Sequence, residues 1–182
     1  MTSLAATTIT VSNSKGNTDV GSLRWAVSQA TGGEVIGFDS RLAGATITLD
    51  TTLVISTSLT IEGPADKGIT ISGGAKGRVI EVAVVNAVLP TTTLRNLSIT
   101  GGKLAVGGGA GIRASSPISI EHTTVWGNES VFAPAIWATD YMSLANSTVS
   151  GNTSTGYMQP AISATSSATI DNSTIAYNSQ GG

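Results

Sequence analysis

Apolar residues alternate with Ser, Thr and Asn along most of the chain, and over the last ninety residues the alternation recurs as a block. The blocks are Leu94-Arg95-Asn96-Leu97-Ser98-Ile99, Ile120-Glu121-His122-Thr123-Thr124-Val125, Leu144-Ala145-Asn146-Ser147-Thr148-Val149 and Ile170-Asp171-Asn172-Ser173-Thr174-Ile175, starting 26, 24 and 26 residues apart. Gly102, Asn128, Asn152 and Asn178 follow each block at the same distance, and Ile112, Ile136 and Ile162 keep the same cadence. A period of ~20–50 residues is the signature of a stacked solenoid, in which each repeat buries its apolar side only against its neighbours. Each block reads inward, outward, Asn, inward, outward, inward, so two period-2 strands meet at one residue that breaks the alternation. An Asn in the left-handed region supplies such a bend, because its short side chain tolerates positive φ better than most. The pattern therefore predicts an all-β, single-stranded parallel β-helix of about six coils, with strands stacked at ~4.8 Å. Asn96, His122, Asn146 and Asn172 form one structural ladder and Asn128, Asn152 and Asn178 a second, with Asn96, Asn146 and Asn172 of the first predicted to bond amide to amide along the axis.

The first half is less regular. Thr8–Val11 alternates and reads as a strand, and Ser22 caps a short helix whose Leu23, Ala26, Val27 and Ala30 share one face, with Gly32-Gly33 ending it. Such a helix suits the end of a solenoid, where core and strand edges otherwise stay open. Residues 1–33 are read as this strand and cap, and 34–182 as coils of a single domain. Short strands follow at 35–38, 46–49, 53–55, 59–61, 69–71 and 79–82. Phe38, Ile61, Leu94, Ile120, Leu144 and Ile170 are expected to share one inward column, spaced 23, 33, 26, 24 and 26. The interval of 33 implies an insertion around Val84 to Pro90.

Composition narrows the partners. Charged residues are 11% of the chain and the net charge is −2, with no basic run, so nucleic-acid binding has no electrostatic footprint. No apolar stretch is long enough to span a membrane. Cysteine is absent, which excludes disulfides and thiolate metal sites. The first residues lack the basic and apolar regions of a signal peptide, and Gly181-Gly182 falls partway through a repeat. The chain is read as a fragment of a longer protein whose export signal lies outside it, with end-to-end self-association open to a truncated solenoid.

Thr8-Ile9-Thr10-Val11, Gly21-Ser22-Leu23-Arg24-Trp25-Ala26-Val27, Ile36-Gly37-Phe38-Asp39, Thr46-Ile47-Thr48-Leu49 and Leu59-Thr60-Ile61-Glu62-Gly63-Pro64 occur in that order. Together they resemble the N-terminal region of bacterial CSLREA-type right-handed β-helix surface proteins, with Gly21 in place of the motif's Cys. Gly108-Gly109-Ala110-Gly111-Ile112 and Val125-Trp126-Gly127-Asn128 are similar to repeats of polymorphic outer-membrane passenger proteins. The resemblance covers nearly the whole chain. It implies a pectin-lyase-like fold and a secreted or cell-surface bacterial protein, but no single activity, because such families share a scaffold and not a chemistry.

Few residues invite chemistry. Asp39, Glu62, Arg95, Glu121, Ala145 and Asp171 are expected on one outward face, with Arg95 and Glu121 in ion-pair range. Alternating signs suit charge neutralisation better than a cation site, which needs several acids around one ion. His122, the only histidine, sits in the bend column, where an imidazole donates and accepts as an amide does. No catalytic residue, metal or cofactor is therefore assigned. Five Asn-x-Ser/Thr sequons, at Asn96, Asn128, Asn146, Asn152 and Asn172, fall on ladder columns and are products of the repeat.

The aromatics are different. Trp126 and Trp137 each follow an inward residue and should point outward, and nothing in the repeat requires tryptophan there. Phe132, Tyr141 and Tyr157 lie in the turns of the same coils. Exposed aromatics on a neutral Ser/Thr/Asn scaffold suit sugar rings, whose apolar faces stack on indoles. They equally suit covering neighbouring turns. Two functional classes follow: a secreted or surface scaffold of adhesin type that contacts polysaccharide or host glycan through these side chains, and a pectate-lyase-like polysaccharide lyase or glycoside hydrolase.

Overall fold

A computed structural model describes residues 6–87, 89–156 and 159–180 of the chain. The strands wind as a parallel β-solenoid of about seven turns. Sheet A stacks seven parallel strands, from Thr8–Val11 and Glu34–Phe38 through Leu59–Glu62, Thr92–Arg95, Ile118–Glu121 and Met142–Ala145 to Ala168–Asp171. Sheet B stacks six: Thr46–Thr48, Ile69–Ser72, Leu97–Thr100, Thr124–Trp126, Thr148–Ser150 and Thr174–Ala176. Sheet C stacks five, Leu53–Ile55, Ile80–Val82, Ile112–Ala114, Ile136–Ala138 and Ile162–Ala164, and a small sheet D joins Glu129–Ser130, Thr153–Ser154 and Ser179–Gln180.

The core is a set of apolar columns running along the axis. Ile61, Leu94, Ile120 and Leu144 pair in register across sheet A, and Ile71, Ile99, Val125 and Val149 across sheet B, all fully buried. Strand alternation alone places them there, since every second side chain of a strand faces the same side.

One expected column member is displaced. The residue paired with Ile61 is Ile36, not Phe38, so the first interval is 25 and not 23. Phe38 pairs with Val11 and occupies the position that becomes the bend in later coils. In this first coil the strand runs straight through. The turn is made afterwards by a 3-10 helix, Ser40–Leu42, whose N-cap is Asp39. Asp39 therefore leaves the outward row assigned to it and pairs with Arg41 at 2.8 Å.

The capping helix, Leu23–Gln29, forms as the apolar spacing predicts. The Ser22 hydroxyl accepts from the Trp25 amide at 3.1 Å, while Leu23 and Ala26 are buried. Its last turn closes at Ala30, ahead of the two glycines. Arg24 pins the helix to the coil below by donating to the carbonyls of Thr51 and Thr52.

The bends behave as the repeat requires. Asn96, His122, Asn146 and Asn172 have φ of 53°, 48°, 50° and 43°. They sit on the outer corner between sheets A and B, however, and His122, Asn146 and Asn172 are exposed. Asn172 and Asn146 bond side chain to side chain there, at 2.6 Å, whereas Asn96 donates to the Gly63 carbonyl. The buried amide ladder is the other one. Asn128 Nδ2 donates to Asn152 Oδ1 at 3.0 Å, and Asn152 Nδ2 to Asn178 Oδ1 at 2.9 Å. Each oxygen also accepts a backbone N–H from the coil before it: Gly102, Asn128 and Asn152 in turn. A hydroxyl ladder runs next to the bend column, with Thr123, Ser147 and Ser173 accepting from the amides of Leu97, Thr123 and Ser147. These rungs satisfy polar groups that the interior would otherwise leave bare.

Candidate functional site

Sheet B carries the most uniform outer surface. Its first outward column is Thr46, Thr70, Ser98, Thr124, Thr148 and Thr174, and its second is Thr48, Ser72, Thr100, Trp126, Ser150 and Ala176. Ten of these twelve positions are Ser or Thr, and none is charged. Trp126 is the exception in size and is 45% exposed. Its indole Nε1 donates to Ser98 Oγ at 2.8 Å, one coil away. The ring is thus held by a single hydrogen bond with much of its apolar surface in water.

Ser98 also lines a groove of about 260 Å³ where sheets A and B meet. Asp66, Lys67, Asn96, His122 and Thr124 complete most of its wall. The left-handed bend creates this groove, since it turns the chain away at Asn96 and His122 and leaves their side chains at the rim. Hydroxyl, amide, imidazole, ammonium and carboxylate groups converge on a space beside an exposed indole. That chemistry hydrogen-bonds a polyol and stacks on the apolar face of a ring.

The other predicted aromatics lie elsewhere. Trp137 is on sheet C, in one column with Val54, Glu81, Arg113 and Ser163. The Arg113 guanidinium lies 4.8 Å from its ring centroid, and the Phe132 ring meets it edge-on at 5.2 Å. A Cβ on Gly109 would crowd the Cβ atoms of Trp137 and Arg113, and one on Gly108 would strike Phe132. The two aromatics therefore press against the glycine-rich turn. Arg78 fixes the same turn from the other side, donating to the carbonyls of Gly108 and Gly109 at 3.0 Å each and pairing with Glu81 at 2.9 Å. Burial lowers the Arg78 pKa, with Glu81 opposing that shift. Tyr141 lies between the sheet C strand Ile136–Ala138 and the sheet A strand Met142–Ala145 and is 40% exposed. Tyr157 lies outside the described residues. The named aromatics among the described residues do not all share one surface.

Glu62 and Glu121 on sheet A are both occupied. Arg95 reaches Glu121 at 2.9 Å and Glu62 at 3.6 Å, and its hydrogen bond to Glu121 is the main cause of its raised pKa. Ala145 separates Asp171 from this trio. Among the described residues, no group of three or more His, Cys, Asp or Glu side chains converges as a metal would need.

Lys67, Ser98 and Thr124 were not singled out by the sequence. Their signal was available for two of them, since Ser98 and Thr124 each stand two residues beyond a bend residue, Asn96 and His122. Lys67 reaches the groove from the preceding coil's irregular turn, which no periodicity marks. Set against known protein families, curated proteins and solved structures, the chain finds no match.

Proposed function

We propose that this chain is a rigid, non-catalytic β-helix module of a secreted or cell-surface protein, contacting neutral polysaccharide through Trp126 and the groove beside it. The observation that carries the reading is the indole of Trp126, 45% exposed on a face otherwise built of small hydroxyls and without charge. The repeat itself has no need of an indole there, because the equivalent residues are Thr100 and Ser150. Tryptophan joins a large apolar ring to one N–H donor, and that amphipathic pairing suits a surface that meets a ligand. The resemblance to CSLREA-type and passenger repeats supports export and a scaffold role. The lyase or hydrolase alternative has less behind it, since Glu62 and Glu121 are both engaged by Arg95.

The test is affinity electrophoresis through gels containing xylan, β-glucan, galactomannan or pectin. Wild-type protein is retarded by at least one neutral polymer, and Trp126→Ala migrates as in an empty gel while melting at the wild-type temperature. Equal retardation of the two proteins, or none by any polymer, removes the proposal.

A further inference from the structure

The corner that follows Trp126 holds a second aromatic in an unusual place. From the strand Leu97–Thr100 onward, each coil turns out of sheet B through a residue of positive φ, first Gly101 at 67°, Gly127 at 61° and Gly151 at 63°. In the last described coil the same position is Tyr177, with φ of 56° and 91% exposed. A side chain in the left-handed region is strained, and glycine avoids that cost in the three preceding coils. Nothing in the fold asks for a tyrosine there, and backbone strain of this kind clusters at functional sites.

The register places Tyr177 relative to Trp126. Trp126, Ser150 and Ala176 share one column, so Gly127, Gly151 and Tyr177 form the next. Two coils separate the aromatics, which is ~10 Å along the axis at ~4.8 Å per strand. The coil between them presents the Ser150 hydroxyl and Gly151, above which a Cβ would meet no atom within 4 Å. Two exposed rings thus flank a bare, uncharged gap with a hydroxyl at its floor.

We infer that Tyr177 is a second stacking platform, and that the ligand is a linear, extended, uncharged polysaccharide lying along the solenoid axis over at least three coils. Such a chain places one sugar on each aromatic and about one between them, given the ~10 Å separation. A branched or compact glycan does not reach both. This rests on the polysaccharide reading above and adds the shape and direction of the ligand.

The experiment is a titration with cello-, xylo- and manno-oligosaccharides of two and six units, comparing wild type, Tyr177→Gly and Trp126→Ala. For the sugar series that binds, Tyr177→Gly lowers hexasaccharide affinity about three- to tenfold, the worth of one ring contact. Its disaccharide affinity stays at the wild-type value. The substitution restores the glycine of the other coils, so the protein folds, and its Tm is unchanged or rises by about 2–4 °C. Trp126→Ala loses both ligands. Unchanged hexasaccharide affinity in Tyr177→Gly overturns the second platform while leaving the first intact. Undiminished binding by Trp126→Ala, or no binding of any series by wild type, overturns the polysaccharide reading itself.

Discussion

Replacing Asn152 by Asp changes one atom type in the middle of the buried amide ladder. Asn152 is fully buried, and its Oδ1 accepts from the Asn128 backbone N–H at 3.1 Å and from Asn128 Nδ2 at 3.0 Å. Its Nδ2 faces three oxygens: Val125 O at 3.0 Å, Ser150 O at 3.1 Å and Asn178 Oδ1 at 2.9 Å. An aspartate keeps the accepting side and puts a second oxygen against those three. Losing the donations and desolvating a charge among acceptors costs about 3–5 kcal/mol, the usual size for a broken buried charged or hydrogen-bonded group. Protonation relieves part of this, because a carboxylic acid donates once. The folded-state pKa of the new carboxyl is therefore raised above its unfolded value of ~3.9. The folded protein then binds the proton more tightly, so the deficit is smallest at or below that value and grows as pH rises toward the folded pKa. Asn152→Ala removes the same bonds and strands the Asn128 N–H, costing a similar ~3–5 kcal/mol without pH dependence. Urea unfolding at pH 4.5 and 7.5 measures both variants. An Asn152→Asp protein within ~0.5 kcal/mol of wild type at pH 7.5, or equally destabilised at both pH values, refutes the ladder's energetic role.

The outer column should behave differently. Asn146→Gly stays within ~0.5 kcal/mol of wild type, while Asn146→Ala loses up to about 1 kcal/mol, because the residue's value lies in its positive φ; thermal melts of the pair decide it. Ser22→Ala destabilises by about 0.5–2 kcal/mol through loss of the helix N-cap, with less helical ellipticity before the main transition. The Glu34 carboxylate is held at about 2, against an ordinary 4.5, chiefly by the Thr31 hydroxyl and then by the Gly32 amide. A depressed carboxylate pKa stabilises the fold above its unfolded value and ceases to do so as pH falls through the folded one. The Tm advantage of wild type over Glu34→Gln is therefore full above pH 4.5 and disappears by about pH 2; a constant difference across that window contradicts the hydrogen-bond pattern.

The repeat made the stacked strands, the paired columns and the left-handed bends legible, because each is a local consequence of residue type and period. Ile120 over Leu94 and φ of 48° at His122 both follow from spacing alone. Phe38 misled because Ile36-Gly37-Phe38 offers two apolar residues at the right alternation, and only pairing with Val11 shows that the strand has run past the bend position. The inward direction of Asn128 and Asn152 was hidden because polar residues at an interior position are invisible to hydrophobic periodicity. Their burial depends on rungs supplied by the neighbouring coils. For the aromatics, the sequence marked Trp126 and Trp137 alike as outward. What separates them is their surroundings: Arg113 and Phe132 enclose one, and a single serine holds the other. Tyr177 was legible in principle, as the side chain that follows Gly73, Gly101, Gly127 and Gly151 in one column.

Trp126 is one of three tryptophans, so its own fluorescence can be isolated in a Trp25→Phe/Trp137→Phe protein. Titrating that protein with the neutral polysaccharide that retards wild type should shift its emission to the blue and protect it from acrylamide, as an exposed indole is covered by sugar. Emission and quenching that stay unchanged at saturating polysaccharide contradict the claim that Trp126 is where this solenoid meets its ligand.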